Sequence, residues 1–391
     1  MITLIKNETI KLLRRTKTLV VFIGLIGLTA LICFSMYRNY AGYKRMNTKA
    51  YKLNEMQQTL DYLDDQKSKA SNEADKAKLD AEITNIQTQI NNIKNSKDGK
   101  ENWKTKINEE LKDDKEHLLD NSLPDLEKAS IKNRISYLQY FAHNNIEYVD
   151  ENIPTASKYV KDLGQVLGVI FLAAGIAVFA ADMVSGEYTP PTMKVLLTQP
   201  VSRGKVLLSK FISVFLTSAV LISIVEFAGF LLMGALYGFG SMKYPVQVGQ
   251  KLMYDMSAVA STGSHPLAIV PGSVHIISMG QYIAEVYLLQ LLFIAAAVAF
   301  AFLLSTVMKS SMISVSSSIV IVILFTIFEG IAPLRKALPF LFTTYGDANK
   351  LITGNIVIEG LKNPTITVGE GIIVLILWTT VCYLISHIVF T

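Results

Sequence analysis

Long apolar runs alternate with polar stretches along the 391 residues of the chain. Six of these runs have about 18–25 residues, the length that crosses a lipid bilayer as a helix. They cover residues 19–37, 163–183, 211–236, 286–307, 312–331 and 371–390. The pattern predicts an all-α membrane protein with six transmembrane helices.

The polar stretch between the first two runs, residues 38–158, predicts a separate helical domain. Its apolar residues recur at alternating spacings of three and four, which is typical of coiled coils. Two such series stand in order along the stretch: Leu53, Met56, Leu60 and Leu63; Leu79, Ile83, Ile86, Ile90 and Ile93. A returning segment then carries Trp103, Ile107, Leu111 and Leu118. We expect an antiparallel helical hairpin or bundle, with "NSKDGKEN" (residues 95–102) as a turn and Ser122 as a helix cap. A flexible charged spacer is the alternative.

Basic residues in the short loops predict the orientation of the chain. The N-terminal segment and the loops on its side of the predicted spans hold ten Lys and Arg residues, against six on the other side. The positive-inside rule therefore places both termini in the cytoplasm of a cell-membrane protein. The formal net charge of +5 then reflects topology. We therefore expect the protein to interact with the lipid bilayer and not with nucleic acid.

These observations divide the chain into four parts. We expect residues 1–18 to form a cytoplasmic interfacial helix with Ile2, Ile5, Leu12 and Leu13 on one face, with a disordered cytosolic tail as the alternative, and residues 19–37 to form the first span. Residues 38–158 are the extracellular domain, and residues 159–391 hold spans two to six with a cytoplasmic loop at 184–210. We expect the external loop 238–285 to be mostly irregular, and loop 332–370 to include a helix that dips into the outer leaflet.

Motifs for catalysis are largely missing from the sequence. It contains no P-loop motif for ATP, and its five histidines show no metal-ligand spacing. Cys33 and Cys382 are predicted at different depths, which argues against a disulfide. We expect a protein that is not itself an enzyme and binds no metal or cofactor.

The loop after the second run has a distinctive pattern of prolines and apolar residues. Residues 187–210 read "EYTPPTMKVLLTQPVSRGKVLLSK". Thr189 can cap a short helix whose apolar face is Met193, Leu196 and Leu197, and Pro200 ends it. The pattern predicts a short amphipathic helix on the inner surface, joined to two spans. An ordinary basic connecting loop is the alternative.

The segment "SGEYTPPTMKVLLTQPVSRGKVLLSKF" closely resembles the first cytoplasmic loop of ATP-binding-cassette (ABC) type-2 export permeases. This resemblance covers roughly residues 1–37 and 159–391. It implies a coupling helix that docks on a separate ABC ATPase subunit, which holds ATP and Mg²⁺, and a second permease copy or homologue. The residues that the resemblance assigns to docking and transmission are Glu187, Tyr188, Met193, Leu196, Leu197, Pro200 and Arg203.

The insertion at residues 38–158 departs from the compact members of that family, such as lantibiotic-immunity permeases. Sodium-efflux-type permeases and some antibiotic-export permeases of Gram-positive bacteria carry large external segments after the first span. The resemblance therefore implies a permease subunit of an ATP-driven exporter, with an amphiphilic cargo such as a peptide antibiotic or a lipid. Sodium efflux is the alternative within this class. A membrane sensor or scaffold, with a ligand-binding external domain, is the alternative from another class.

Glu226 is the one acidic residue well inside a predicted span. It stands 15 residues into the third apolar run, roughly 22 Å from the inner boundary at the usual helical rise. Carboxylates inside membranes are costly and often functional, so Glu226 is a candidate position on the transport path. The other interpretation is a glutamate near the outer interface that is hydrogen-bonded or faces water.

The predicted orientation can be tested with single cysteines in a chain whose Cys33 and Cys382 are replaced by alanine. We expect Ser96→Cys to react with a membrane-impermeant thiol reagent on intact cells. Ser202→Cys should react only after the cells are opened, because the bilayer keeps the reagent outside. The reverse labelling pattern would overturn the orientation and the assignment of the cytoplasmic loop.

Overall fold

A computed structural model describes residues 1–69, 72–95, 103–120, 123, 125–148, 152–188, 201–254, 256, 265, 267–328, 331–358 and 363–391. Helices dominate this part of the chain. In chain order they are α1 Ile2–Leu13, α2 Thr16–Met46, α3 Lys49–Lys69, α4 Glu73–Asn95, α5 Trp103–His117, α6 Asp125–Asn144, α7 Ala156–Ala180, α8 Arg203–Tyr237, α9 Met279–Val307, α10 Ser311–Ile327, α11 Ala348–Thr353 and α12 Val368–Phe390.

Each of the six apolar runs lies largely within one helix, namely α2, α7, α8, α9, α10 and α12. Within the described residues, four of these helices are long and apolar enough to cross a membrane: α2, α8, α9 and α12. Helix α10 is equally apolar but has 17 residues. The helical and membrane-embedded character of the chain is thus confirmed, whereas the number of six spans stays a prediction.

The outer surfaces of the membrane helices are covered with large apolar side chains. Examples are Leu31 of α2 (64% exposed), Phe227 of α8 (56%), Met312 of α10 (79%) and Ile388 of α12 (75%). Proteins in water rarely expose contiguous apolar surfaces of this extent. Lipid chains would cover these surfaces without cost, which fits a membrane-embedded protein.

Helix α9 lies at the centre of the membrane part. Its segment 294–302, "IAAAVAFAF", is almost entirely buried, and Phe293 and Phe302 are fully enclosed. The small side chains of the alanines let neighbouring helices approach closely, as is usual in membrane-helix packing. Helices α7, α8, α10 and α12 all pack against α9. The core of the protein is therefore built around this helix.

The insertion contains two helical hairpins. Helices α3 and α4 are antiparallel, because the Lys49 ammonium donates to the Lys94 carbonyl (2.8 Å) at one end and Lys67 pairs with Asp80 at the other. The predicted apolar series meet between the helices, with Leu60, Leu63, Ile83 and Ile90 buried. Helices α5 and α6 enclose a second cluster that includes Ile107, Leu111, Ile135 and Phe141.

These hairpins agree with the heptad pattern, whereas the extracellular location of the domain stays a prediction. Residues 96–102 of the proposed turn and the proposed cap Ser122 lie outside the described residues. Tyr244, from the loop after α8, also packs on the α5–α6 cluster. The second hairpin is therefore anchored on the membrane part.

The loop 238–285 contains more order than the predicted irregular structure. It forms the strands β1 Pro245–Val248, β2 Leu252–Tyr254, β3 Leu267–Ile269 and β4 His275–Ser278. Strand β1 pairs antiparallel with β4, and β2 with β3. Strands of three or four residues are too short to show a clear alternation in sequence, which is why the pattern did not reveal them.

The segment 332–358 closes one end of the helix bundle and contains helix, whereas the predicted insertion of this helix into the outer leaflet stays a prediction. Two 3₁₀ helices, Ala332–Phe340 and Phe342–Tyr345, precede α11. Asn349 of α11 is buried; its amide donates to the Val160 carbonyl (3.0 Å), and its oxygen accepts from the Tyr282 hydroxyl (3.0 Å). This side chain therefore connects α11 to both α7 and α9.

Close packing between α8, α7 and α2 depends on Gly229. A Cβ atom at this position would lie 2.2 Å from the Tyr159 hydroxyl oxygen and 2.9 Å from Cγ2 of Thr29. We expect Gly229→Ala to destabilise the fold by about 1–3 kcal/mol through overpacking. The measurement is the temperature at which the detergent-solubilised protein loses its monodisperse gel-filtration peak.

The matched control is Gly27→Ala in α2, where an added Cβ meets no atom within 4 Å. Because alanine is also the better helix former, this variant should be as stable as the original chain or slightly more stable. Equal melting of the two variants would show that Gly229 is not a packing constraint.

Candidate functional site

The candidate site is the base of the loop that precedes α8. A 3₁₀ turn, Ser185–Glu187, follows α7 and leads into the loop. The chain is described again from residue 201, just before α8. Met193, Leu196, Leu197 and Pro200 of the proposed coupling helix lie outside the described residues. Their docking role therefore stays a prediction, and the geometry concerns the two ends of the loop.

Lys210 holds the base of this loop to the N-terminal helix. Its side chain is fully buried in α8, and its ammonium donates to Glu187 Oε1 (2.9 Å) and Glu8 Oε2 (3.0 Å). Lys11 of α1 also pairs with the Glu187 carboxylate, which is itself only 3% exposed. A buried charge is tolerated when it is paired and hydrogen-bonded, and these contacts meet that condition.

A second set of ion pairs joins the end of α7 to the start of α2. The Arg15 guanidinium donates to one Asp182 oxygen (3.1 Å) and the Lys17 ammonium to the other (2.9 Å). Asp182 lies in the turn between α7 and the 3₁₀ turn. We use the term charge network for Glu8, Lys11, Arg15, Lys17, Asp182, Glu187 and Lys210. It links α1, α2, α8 and both ends of the described loop base.

Neutral hydrogen bonds hold the same turn against α9 and α10. The Ser305 hydroxyl accepts from the backbone amides of Val184 (2.9 Å) and Ser185 (3.0 Å). The Ser314 hydroxyl donates to the Ala181 carbonyl. Backbone groups that α7 leaves unpaired at its end are thereby satisfied inside the protein. The turn is thus fixed on every side that faces the bundle.

This arrangement joins α1, α2 and α8 through paired charges. Its carboxylates are all paired with lysine or arginine. In the ranges that the structure describes, no group of three or more His, Cys, Asp or Glu residues could hold a metal ion. A displacement of the loop base would instead move α1, α2 and α8 together, because the ion pairs and hydrogen bonds connect them directly.

The structure separates the proposed docking residues that it describes into two kinds. Tyr188 and Arg203 are exposed, and Nη1 of Arg203 donates to the Thr391 carbonyl (3.5 Å). Glu187 is buried beneath them and makes its contacts within the chain. Direct docking by Glu187 does not fit this burial. Its geometry instead suits a positioning role at the loop base.

Sequence reasoning did not identify the partners of Glu187. The positive-inside rule accounts for the basic residues of the first segment by topology alone, and no motif singles out Asp182. One signal was available, because Glu8 is the single carboxylate among the five basic residues of positions 1–17. Helix α1, Ile2–Leu13, lies within the predicted interfacial segment 1–18, whose place at the membrane surface stays a prediction; of its proposed apolar face only Leu12 is buried. Ile2 and Leu13 are exposed.

Glu226 lies elsewhere in α8, enclosed by other helices. It is 2% exposed, and the Gln290 amide of α9 donates to its Oε1. It lines a cavity of about 30 Å³ together with residues of α7, α9 and segment 346–349. The structure therefore fits the interpretation of a buried, hydrogen-bonded carboxyl group, whereas its place on a transport path stays a prediction.

A comparison with protein-family models gives a match over nearly the whole chain. The model described as "ABC-2 family transporter protein" matches residues 2–391. The chain belongs to the ABC-2 family. No curated relative matches its sequence. The family match extends through the insertion as well as the membrane part, and it implies a permease subunit that associates with a membrane and with an ABC ATPase.

The charge network of this ABC-2 permease can be tested at Lys210. We expect Lys210→Met to reduce stability by about 3–5 kcal/mol, because it leaves the buried Glu187 and the partly buried Glu8 with fewer partners. Lys205→Met is the matched control, since Lys205 lies on the same helix but is exposed. That change should stay within about 0.5 kcal/mol. The measurement is thermal unfolding of the detergent-solubilised protein.

A double variant distinguishes an ion pair from simple packing. Adding Glu187→Gln to Lys210→Met removes the stranded carboxylate, so it should recover part of the lost stability. Additive losses in the double variant would contradict a direct energetic interaction between Lys210 and Glu187.

Proposed function

We propose that this permease exports an amphiphilic compound, such as a peptide antibiotic or a lipid, out of the cell. Two permease chains, identical or homologous, would pair in the cell membrane with both termini in the cytoplasm. Separate ABC ATPase subunits would bind ATP and Mg²⁺ and supply the energy. Loop 184–210 would be the point at which each ATPase acts on the permease.

The observation that carries this proposal is the rigid base beneath that loop. A loop that only connects two spans does not require a buried lysine with two carboxylate partners at its base. Such burial is expensive unless every contact is kept. A loop that receives force from an ATPase would require such a rigid base, because a flexible base would absorb the movement. Through Lys210 and Asp182 the movement reaches α8, α1 and α2.

The size of the internal cavities supports a path between two chains. The cavities between the membrane helices at Glu226 and at Ser218 have volumes of about 30 and 20 Å³. Space of this size suits one or two water molecules. A peptide or lipid would not fit there, so its route would lie along the lipid-facing surfaces where two permeases meet.

A second candidate function, ligand sensing by the external part, is favoured by one observation. A pocket of about 370 Å³ lies between α6, β1, α9 and α11, and its lining includes Tyr137, Lys161, Gln247 and Lys350. This volume is within the range of small-molecule sites. In a sensor or scaffold, ligand binding at such a pocket would be the function, and no ATPase would be required.

The coupling helix provides the test that separates these functions. We expect Leu196→Asp to abolish both co-purification of an ATPase with a P-loop motif and the ATP hydrolysis that depends on the permease. A charge placed at a dry apolar contact would lose the burial of leucine and remain unpaired. Arg203→Ala should have a smaller effect, because exposed charges contribute little.

The matched control is Leu196→Met, which keeps the volume and the apolar character of the side chain. All three variants should reach the membrane and elute at the original gel-filtration position, since the segment is predicted outside the bilayer. Unchanged ATPase binding and activity in Leu196→Asp would contradict a coupling role. If the unmodified chain recruits no ATPase but binds a ligand, that result would favour the sensor function.

A further inference from the structure

Glu226 is a carboxyl group in an apolar surrounding with one oxygen unsatisfied. Its Oε1 accepts from the Gln290 amide, and its Oε2 is buried without a hydrogen-bond partner among the described residues. No lysine, arginine or histidine of the described chain forms an ion pair with it. An ionised carboxylate in this position would carry an uncompensated charge inside the bundle, which is strongly unfavourable.

The space beside this carboxyl is polar on one side and large enough for water. The cavity of about 30 Å³ is lined by Glu226, Tyr287 and Gln290 as well as by Gly164 and Asn349. Roughly 10–15 Å³ is enough for one water molecule when polar partners are present. Segment 346–349, which covers one end of the bundle, forms part of the lining.

A buried tyrosine hydroxyl faces the neighbouring turn of α8. The Tyr159 hydroxyl of α7 lies over Gly229, three residues beyond Glu226, and Thr29 of α2 interacts with it. A buried carboxyl oxygen without a partner among the described residues, such as Glu226 Oε2, is unusual, because such groups are normally hydrogen-bonded. Glu226 and the hydroxyl groups near it therefore form a polar site that helix packing alone does not explain.

The titratable side chains that interact with Glu226 are neutral, and a further carboxyl group, that of Asp347, lies in segment 346–349 and accepts from the Lys350 amide (3.1 Å). Tyr159 of α7 and Tyr287 of α9 lie within its electrostatic range, and Cys33 of α2 lies beside Tyr159. Gln290 of α9 and Asn349 of α11 complete the polar surroundings. Nothing in this set of described residues supplies a positive charge to balance a carboxylate.

We propose that Glu226 is a proton-binding site, at which the carboxyl group is protonated when the helices pack as they do here. In this state Oε1 accepts from Gln290, and the hydroxyl formed by Oε2 can donate to water in the cavity. The proton comes from water on the side covered by segment 346–349 and returns there when the carboxyl ionises. The proposal concerns the membrane part alone and is independent of the ATPase and the cargo.

A proton fits these surroundings better than a metal cation. Hard cations require several oxygen ligands around one point. Of the oxygens near the cavity, that of Asn349 already accepts from the Tyr282 hydroxyl, and Glu226 Oε1 already accepts from Gln290. A proton needs a single oxygen, and Glu226 Oε2 provides it.

Carbodiimide labelling of the full-length protein tests the proposal. Dicyclohexylcarbodiimide reacts with protonated carboxyl groups in apolar surroundings, and peptide mass spectrometry locates the product. We expect a Glu226 adduct at neutral pH that is lost at alkaline pH and is unaffected by added Na⁺ or K⁺. The infrared spectrum should show a protonated-carboxyl C=O band that is absent from Glu226→Gln.

Glu370→Gln is the matched control, because Glu370 is an exposed carboxylate in the first turn of α12. This variant should keep both the adduct at Glu226 and the infrared band. Two results would overturn the proposal. Loss of the adduct on addition of Na⁺ at constant pH would identify a metal-cation site. A spectrum of the original chain without the protonated-carboxyl band would show that Glu226 is ionised.

Discussion

The ammonium group of Lys210 has no contact with solvent, and the end of the helix bundle at the loop base is arranged around that fact. Removing such a charge from water costs several kcal/mol, so it requires partners with good geometry. Glu187 supplies one from the turn after α7, and Glu8 supplies the other from α1. Helix α1 must therefore lie against α8, and the loop must start where Glu187 is held. Lys11, Arg15 and Lys17 then balance the remaining carboxylate charge.

Much of the helical architecture could be predicted because it depends on local composition. A run of some twenty apolar residues dictates a helix wherever the backbone is shielded from water. The heptad spacing of Leu60, Leu63, Ile83 and Ile90 likewise dictates a pair of helices, and the structure confirms that pair. The strands β1–β4 were missed because three or four residues carry little pattern. Their pairing brings together residues far apart in sequence, such as Val246 and Ile277.

The contacts of the candidate site could not be predicted, because they join distant parts of the chain. Lys210 is separated from Glu8 by 202 positions, and Lys11 from Glu187 by 176. A lysine at the end of an apolar run satisfies the positive-inside rule whether it is exposed or buried, so the sequence alone does not distinguish the two. The resemblance of the loop proposes Glu187 as a docking or transmission residue. It could not show that the side chain points into the protein and not towards a partner.

Lys210 and Glu226 stand on the same helix, sixteen residues or roughly 24 Å apart. Their environments are opposite: the lysine has two carboxylate partners, whereas the glutamate keeps one oxygen without any among the described residues. An α-helix is stiff along its axis, since every turn is hydrogen-bonded to the next. A shift imposed on Lys210 from the loop would therefore also move Glu226 relative to Gln290 and Tyr159. The end of α8 at Lys210 would receive the movement, and the helix packing would change around Glu226, where a polar atom lacks a partner among the described residues.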